Sequence, residues 1–313
     1  MLKVIANRLA SILVVMALVA IIVFMLLRLA PGDPAAILAG DSASPDQIEA
    51  LRRNLGLEAP LPIQFWHWIA AVLQGDLGTS IFSGAPVLAL IGERLEPTVS
   101  LASITFLFTV PLAVAAGIAA ASQAGGLQDR ALMIVSVLGF SVPGFVIGYF
   151  LSFTFALSLH WLPVQGYQSI ADGIWPWFER LILPSITLGF GYLALIGRIT
   201  RTAVLDVLAE DYIRTAKAKG VAPGPILFRH ALKNAGVPII TVIGIGVALL
   251  IGGVVITETV FNIPGVGRLV VDAIQKRDYP VIQGITLIFS AVYVLINLAV
   301  DLSYTLIDPR VRH

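Results

Sequence analysis

The chain has 313 residues, of which 58% are hydrophobic and only 12% charged. A soluble domain carries about 25% charged residues, so the composition points to lipid as the solvent. Without cysteine, disulfides, Cys-ligated zinc and thiol catalysis are excluded, and the formal net charge of +1 gains meaning only when the charges are placed along the chain.

A transmembrane helix needs about 20 apolar residues to cross a hydrocarbon core of about 30 Å. Six runs are predicted to do so. The first runs from Leu9 to Leu27, with no charge between Arg8 and Arg28. It is longer than the roughly 7–15 apolar residues of a secretory signal and no Ala-x-Ala site follows, so an uncleaved anchor is expected. Residues 31–97 then form an outer segment. It opens with Pro31-Gly32-Asp33-Pro34, which cannot continue a helix. Short amphipathic helices are predicted over Gln47 to Leu55, after Ser44-Pro45-Asp46, and over Pro62 to Leu73. Trp66 and Trp68 suit a membrane–water boundary. Gly75-Asp76-Leu77-Gly78-Thr79-Ser80 reads as a turn. Taken alone, this segment reads as a folded cap without chemistry.

The second span is predicted over Thr98 to Ser122 and the third from Arg130 to Leu159, interrupted by Gly139, Pro143, Gly144 and Gly148. The fourth covers Leu181 to Ile196; Pro184 near its start and Arg198 at its end make it the shortest. The fifth covers Val237 to Thr257, where Gly244, Ala248 and Gly252 recur every four residues. Such a small-residue face serves either bundle packing or a helix lining a path that opens and closes. The sixth covers Val281 to Val300. Before it, Glu258-Thr259-Val260-Phe261 leads into Pro264-Gly265-Val266-Gly267, a short amphipathic helix from Arg268 to Lys276, and Arg277-Asp278-Tyr279-Pro280. Arg28, Glu258 and Asp301 lie near span ends, where pairing with neighbouring groups is the expected role.

Basic residues set the orientation, because cytoplasmic loops collect Lys and Arg. The loop between the fourth and fifth spans holds Arg198, Arg201, Arg214, Lys217, Lys219, Arg229 and Lys233 against Asp206, Glu210 and Asp211, seven minus three, or +4. This places the loop and both termini in the cytoplasm. Within 204–236, a helix is predicted through Lys219, with acids early and bases late as the macrodipole favours. Gly220 is expected at its C-terminal cap, and Pro223 and Pro225 restart a second helix to Ala235. Attachment to two spans removes nucleic acid as a partner. A merely solvated loop and a docking element for a cytoplasmic protein are the remaining readings; the small face of Ala216, Ala218 and Gly220 flanked by bases favours docking.

At Glu210-Asp211-Tyr212-Ile213-Arg214-Thr215-Ala216-Lys217-Ala218-Lys219-Gly220 the chain resembles the permease subunits of ATP-binding-cassette importers, in the peptide, nickel and glutathione branch. Thr215-Ala216-Lys217 stands where other branches have Glu-Ala-Ala. The Pro31–Pro34, Gly75–Gly78, Glu258–Phe261, Pro264–Gly267 and Arg277–Pro280 motifs agree, so the resemblance covers nearly the whole chain. It implies an all-α membrane protein of the type I importer permease fold: an N-terminal span over 1–30, an outer segment over 31–97 and a core of five spans over 98–313. It implies a bacterial inner-membrane location, and a coupling role for Asp211, Tyr212, Arg214, Ala216, Lys219 and Gly220 against an ATPase subunit. It also implies partners: a second homologous permease, two ATP-binding subunits and a periplasmic solute-binding protein. The chain has no Gly-x-x-x-x-Gly-Lys-Ser/Thr loop, so ATP would be bound by the partners and no cofactor is expected here.

Two rivals fit less well. A membrane enzyme lacks motifs: His67, His160, His230 and His313 show no metal-ligand spacing, and Ser141 is not in Gly-x-Ser-x-Gly. An ion-driven secondary transporter would need ionisable residues at mid-membrane. The cargo is not legible; peptides, glutathione, nickel chelates and opine-like compounds all suit the branch.

Overall fold

The computed structural model describes residues 2–29, 35–36, 44–54 and 58–307. Pro31-Gly32-Asp33-Pro34 and the C-terminal arginines therefore lie outside the described residues. Among those described there is no β-strand, only an isolated bridge between Thr79 and Pro86. The helices are α1 (Leu2–Leu29), α2 (Pro45–Asn54), α3 (Leu61–Leu73), α4 (Val87–Ser122), α5 (Leu127–Ser141), α6 (Gly144–Leu151), α7 (Ile174–Leu208), α8 (Asp211–Ala218), α9 (Gly236–Val260), α10 (Val266–Lys276) and α11 (Tyr279–Ile307).

Four of them, α4, α7, α9 and the 279–303 part of α11, are each long and apolar enough to cross a membrane. The third predicted span is not one straight helix. α5 and α6, the latter continued by a π-helical turn over Ser152–Ser158, form an apolar pair bent by 108°. The cause is local: Val142 precedes a proline and is held extended at φ −97°, ψ 121°, because the proline ring excludes the helical region from the residue before it. The first predicted span falls on α1, whose described apolar stretch, Ala10–Leu26, is shorter than the other spans. Among the described residues, four helices, or five spans with the bent pair, are thus long and apolar enough to cross a membrane, and α1 lies where the first of the six expected spans was placed.

Pro184 has the opposite outcome. Pro184 was expected to weaken the start of the fourth span and Arg198 to close it, yet α7 runs unbroken from Ile174 through Pro184 and Arg198 to Leu208. Proline is tolerated within membrane helices because neighbouring groups satisfy the backbone it frees. A further departure lies downstream. The predicted helix through Lys219 is two helices, interrupted where Glu210 turns extended at ψ 147°.

The chain divides into two compact units. One comprises Met1–Glu93 and Leu269–Val292. Its inner face of α1 meets α3 through Phe24, whose ring lies 5.3 Å from Phe65 and 5.6 Å from Trp68. Gln283 donates from Nε2 to the Val23 carbonyl at 3.2 Å, so its amide is satisfied inside the apolar packing.

The other unit comprises Arg94–Arg268 and Tyr293–His313. Here α7 is the central helix, packing against α5, α6 and α9. Its core holds Leu101, Leu181, Leu183, Phe261 and Ile263. The small-residue stripe of α9 divides between roles. A Cβ at Gly253 would lie 2.6 Å from Leu188 on α7, whereas at Gly252 it would meet nothing within 4 Å. Within the predicted repeat Gly244 does make a close approach, a Cβ there running into Val300 of α11, whereas Gly252 does not and its neighbour Gly253 meets α7 instead.

Candidate functional site

The basic loop is built from its anchors outward. α8 is short, and one side chain in it is fully buried: Ile213. The chain then turns at Gly220, whose φ is +79°. The Gly220 N–H donates to the Lys217 carbonyl at 3.0 Å and the Val221 N–H to the Ala216 carbonyl at 3.2 Å. This paired pattern closes a helix with a left-handed glycine and satisfies carbonyls that the helix end would leave free. Pro223–Pro225 restarts the chain, Ile226–Ala231 is wound as a π-helix, and Leu232–Asn234 leads to α9. The returning limb is pinned by Ala231 and Ala235, which share an apolar cluster with Ala203 and Val204 of α7 and Ile118 and Ala121 of α4.

The six predicted coupling residues occupy this frame unequally. Asp211, Tyr212, Arg214, Lys219 and Gly220 are exposed, and Ala216 is half-buried. Arg214 Nη1 reaches Asp211 Oδ1 at 3.3 Å, one turn back along α8. Tyr212 does something else: its hydroxyl accepts from Asn234 Nδ2 at 2.8 Å, and the same amide donates to the His230 carbonyl at 2.9 Å. The two limbs are therefore cross-tied at the exposed surface. Ala218 and Gly220 complete an open small-residue patch, since a Cβ at Gly220 would touch nothing within 4 Å. What the arrangement offers is a basic, small-surfaced knuckle seated on an apolar base.

The other motifs resolve into two polar nodes, one in each unit. In the larger unit, Glu258 is fully buried at the end of α9. Its Oε1 accepts from the Thr98 hydroxyl at 2.5 Å, and its Oε2 from the Arg268 N–H at 2.9 Å. Thr98 Oγ1 in turn accepts from the Val266 N–H at 2.8 Å. The carboxylate and the hydroxyl thus satisfy N–H groups at the start of α10, where a negative charge is also favoured by the helix dipole. The glycines of Pro264-Gly265-Val266-Gly267 are explained by the same contact. A Cβ on Gly265 would run into the Glu258 carboxylate, and one on Gly267 would lie 2.7 Å from the Val255 backbone. Nearby, the Tyr167 hydroxyl donates to Glu96 Oε1 at 2.9 Å, and burial pushes the Tyr167 phenol up from its ordinary pKa.

In the smaller unit the Ser80 hydroxyl donates to Asp278 Oδ2 at 2.5 Å and the Ile81 N–H to Oδ1 at 3.2 Å. The Ser80 and Asp278 side chains are buried. Gly78 comes within 3.6 Å of Pro280 when given a Cβ, so the Gly75–Ser80 turn and the Arg277–Pro280 run are two halves of one contact. The sequence displays these motifs without showing that they meet.

One pair is not legible in the sequence at all. Asp129, buried at the start of α5, is held at two points by the guanidinium of Arg201 on α7. In the sequence Arg201 is one of several basic residues near the loop. The remaining signal is a lone carboxylate beside an apolar run, and nothing in the spacing connects residues 72 apart.

Comparison with known proteins agrees with this architecture. Residues 113–313 match the family model described as "binding-protein-dependent transport system inner membrane component", and residues 1–102 match the model of that system's N-terminal membrane component. The probable peptide ABC transporter permease protein y4tP of Sinorhizobium fredii is 58% identical over 309 residues, covering 99% of each chain. The glutathione transport system permease protein GsiC of Salmonella typhimurium is 42% identical over 313 residues, covering 100% of both. A chain from an inward-facing structure of the MetNI methionine ABC transporter superposes with a TM-score of 0.59 at 15% identity, covering 71% of this chain and 97% of that one. At that identity the likeness speaks for the fold, an all-α type I importer permease.

Proposed function

The chain belongs to the family of binding-protein-dependent transport inner-membrane components, and from that premise we propose how it works within an importer. It is a permease component of an ATP-driven importer for peptides or related small solutes, and it is not itself the hydrolytic subunit. Its partners are a second, homologous permease, two ATP-binding subunits and a periplasmic solute-binding protein. The termini and the 204–236 loop face the cytoplasm.

The coupling contact is the knuckle of α8 and Gly220. The observation that carries this reading is the division of labour within the loop: Ile213, Ala231 and Ala235 are buried, while Asp211, Arg214 and Lys219 are presented outward. A solvated loop has no need of a buried base and a cross-tie. A chain without a phosphate-binding loop must receive its driving energy through some contact, and this is the built one. Charge at the rim would steer and register the ATPase, while the small patch allows close approach.

Reconstitution of the chain with its partner subunits tests the reading. Addition of the loaded binding protein should stimulate ATP hydrolysis, and uptake should stop without ATP. Peptides and glutathione are the candidate cargoes to screen, given the relatives' names. Uptake that persists without ATP and follows an ion gradient would favour a secondary transporter instead. Docking can be probed separately. The chain has no cysteine, so Ala218→Cys introduces a single thiol. It should cross-link to a cysteine placed in the ATPase groove, and failure to cross-link to any ATPase surface would count against the contact.

A further inference from the structure

The Asp129–Arg201 pair lies at the root of the loop. Arg201 Nη2 donates to Asp129 Oδ2 at 2.7 Å and Arg201 Nε donates to Oδ1. The Gly125 N–H also donates to Oδ2, at 2.8 Å. One carboxylate thereby joins α7, the first turn of α5 and the 123–126 turn that links α4 to α5. Arg130 and Arg198 are close by in sequence and exposed; the guanidinium chosen for the buried acid is Arg201.

Arg201 sits near the cytoplasmic-loop end of its helix. Leu208, where α7 ends, is seven residues further on, roughly 10 Å along a helix. Between them lie Ala203 and Val204, which pack on Ala231 and Ala235 of the returning limb and on the end of α4. The returning limb is thus seated on the stretch of α7 whose lateral position Asp129 sets, and the outgoing limb continues from the end of that same helix. A planar guanidinium held at two points resists rotation as well as separation, which a single point charge does not.

We propose that Asp129 and Arg201 form a positioning clamp that makes the coupling loop and the α4–α5 turn move as one block. The clamp rests on the coupling role proposed for α8. Force applied at α8 by the ATPase is carried up α7 and, through the two-point contact, into the start of α5. Without the clamp α8 still docks, but its movement is lost between helices.

The test uses the reconstituted importer with Arg201→Lys and, separately, Asp129→Asn, each in the Ala218→Cys background. Lysine keeps the charge and one hydrogen bond but loses the two-point hold. The expected result for Arg201→Lys is an intact cross-link to the ATPase with uptake per ATP hydrolysed reduced, by roughly 2- to 30-fold. Asp129→Asn should show the same loss. Wild-type uptake per ATP in Arg201→Lys overturns the clamp, and so does loss of the cross-link, which would place the pair in docking or folding. If Asp129→Asn fails to accumulate, Arg201→Lys decides alone. A wild-type complex whose hydrolysis ignores loaded binding protein overturns the coupling reading, and the clamp with it. A stimulated wild type with unimpaired variants overturns the clamp only.

Discussion

Glu258 shows how a buried carboxyl group can be a structural necessity at the scale of one residue. Its two oxygens and the Thr98 hydroxyl account for N–H groups opening α10, and Gly265 and Gly267 clear the space for them. Removing an acceptor strands buried donors, each at a cost of about 1–3 kcal/mol. Glu258→Gln should therefore lower stability by about that amount, since an NH2 replaces one accepting oxygen. Gly267→Ala should be destabilising by about 1–3 kcal/mol through crowding of the Val255 backbone. Melting of the purified chain in detergent checks both, and unchanged midpoints would contradict the packing described. A paired comparison within α9 is equally direct. Gly253→Ala meets Leu188 and should destabilise, whereas Gly252→Ala meets nothing and should melt at or slightly above the wild-type temperature.

At the scale of the element, α8 is too short to persist alone; isolated helices below about 12–15 residues are marginal in water. Burial of Ile213, the Gly220 closure and the Tyr212–Asn234 tie hold it. Gly220→Pro attacks the closure twice. Proline fixes φ near −65° where +79° is required, and it deletes the N–H donated to Lys217. The expected outcome is loss of uptake with the protein still present in the membrane, and Ala216→Glu should act similarly by crowding the docking surface. Normal substrate-stimulated hydrolysis in these variants would remove the docking role from α8. Tyr212→Phe is gentler: it deletes the cross-tie to Asn234 alone, a loss of about 0.5–1.5 kcal/mol, and should weaken coupling less than Gly220→Pro.

For the whole molecule, the proposed function makes coupling between solute delivery and hydrolysis the quantity to measure. The prediction at this scale is that uptake needs all four kinds of component and ATP, and omission of any one in reconstitution should reduce it to background. Much of the fold is legible in the sequence. Three short helices fall at Pro45–Asn54, Leu61–Leu73 and Val266–Lys276, close to the expected Gln47–Leu55, Pro62–Leu73 and Arg268–Lys276. The turn at Gly220 is legible too, because the glycine and the prolines after it act within a few residues of themselves. Less legible are the 108° bend after Val142, the passage of α7 through Pro184, and the break before Asp211. Two prolines in similar apolar runs give opposite results, since the surrounding helices decide whether the freed backbone is satisfied.

Sequence by itself determined the solvent, the approximate places of the helices and the chemistry of the basic loop. These follow from composition, from the thickness of a bilayer and from short-range capping, all of which act along the chain. Only the tertiary structure decided that Ser80 serves Asp278, that Thr98 serves Glu258 and that Arg201 holds Asp129, across separations of 198, 160 and 72 residues. The reason is physical. Lipid tails are as apolar as a helix interface, so the hydrophobic pattern of a span does not say which face meets protein and which meets lipid. The faces are chosen by close packing and by the pairing of the few polar groups, and those contacts exist only once the helices have come together.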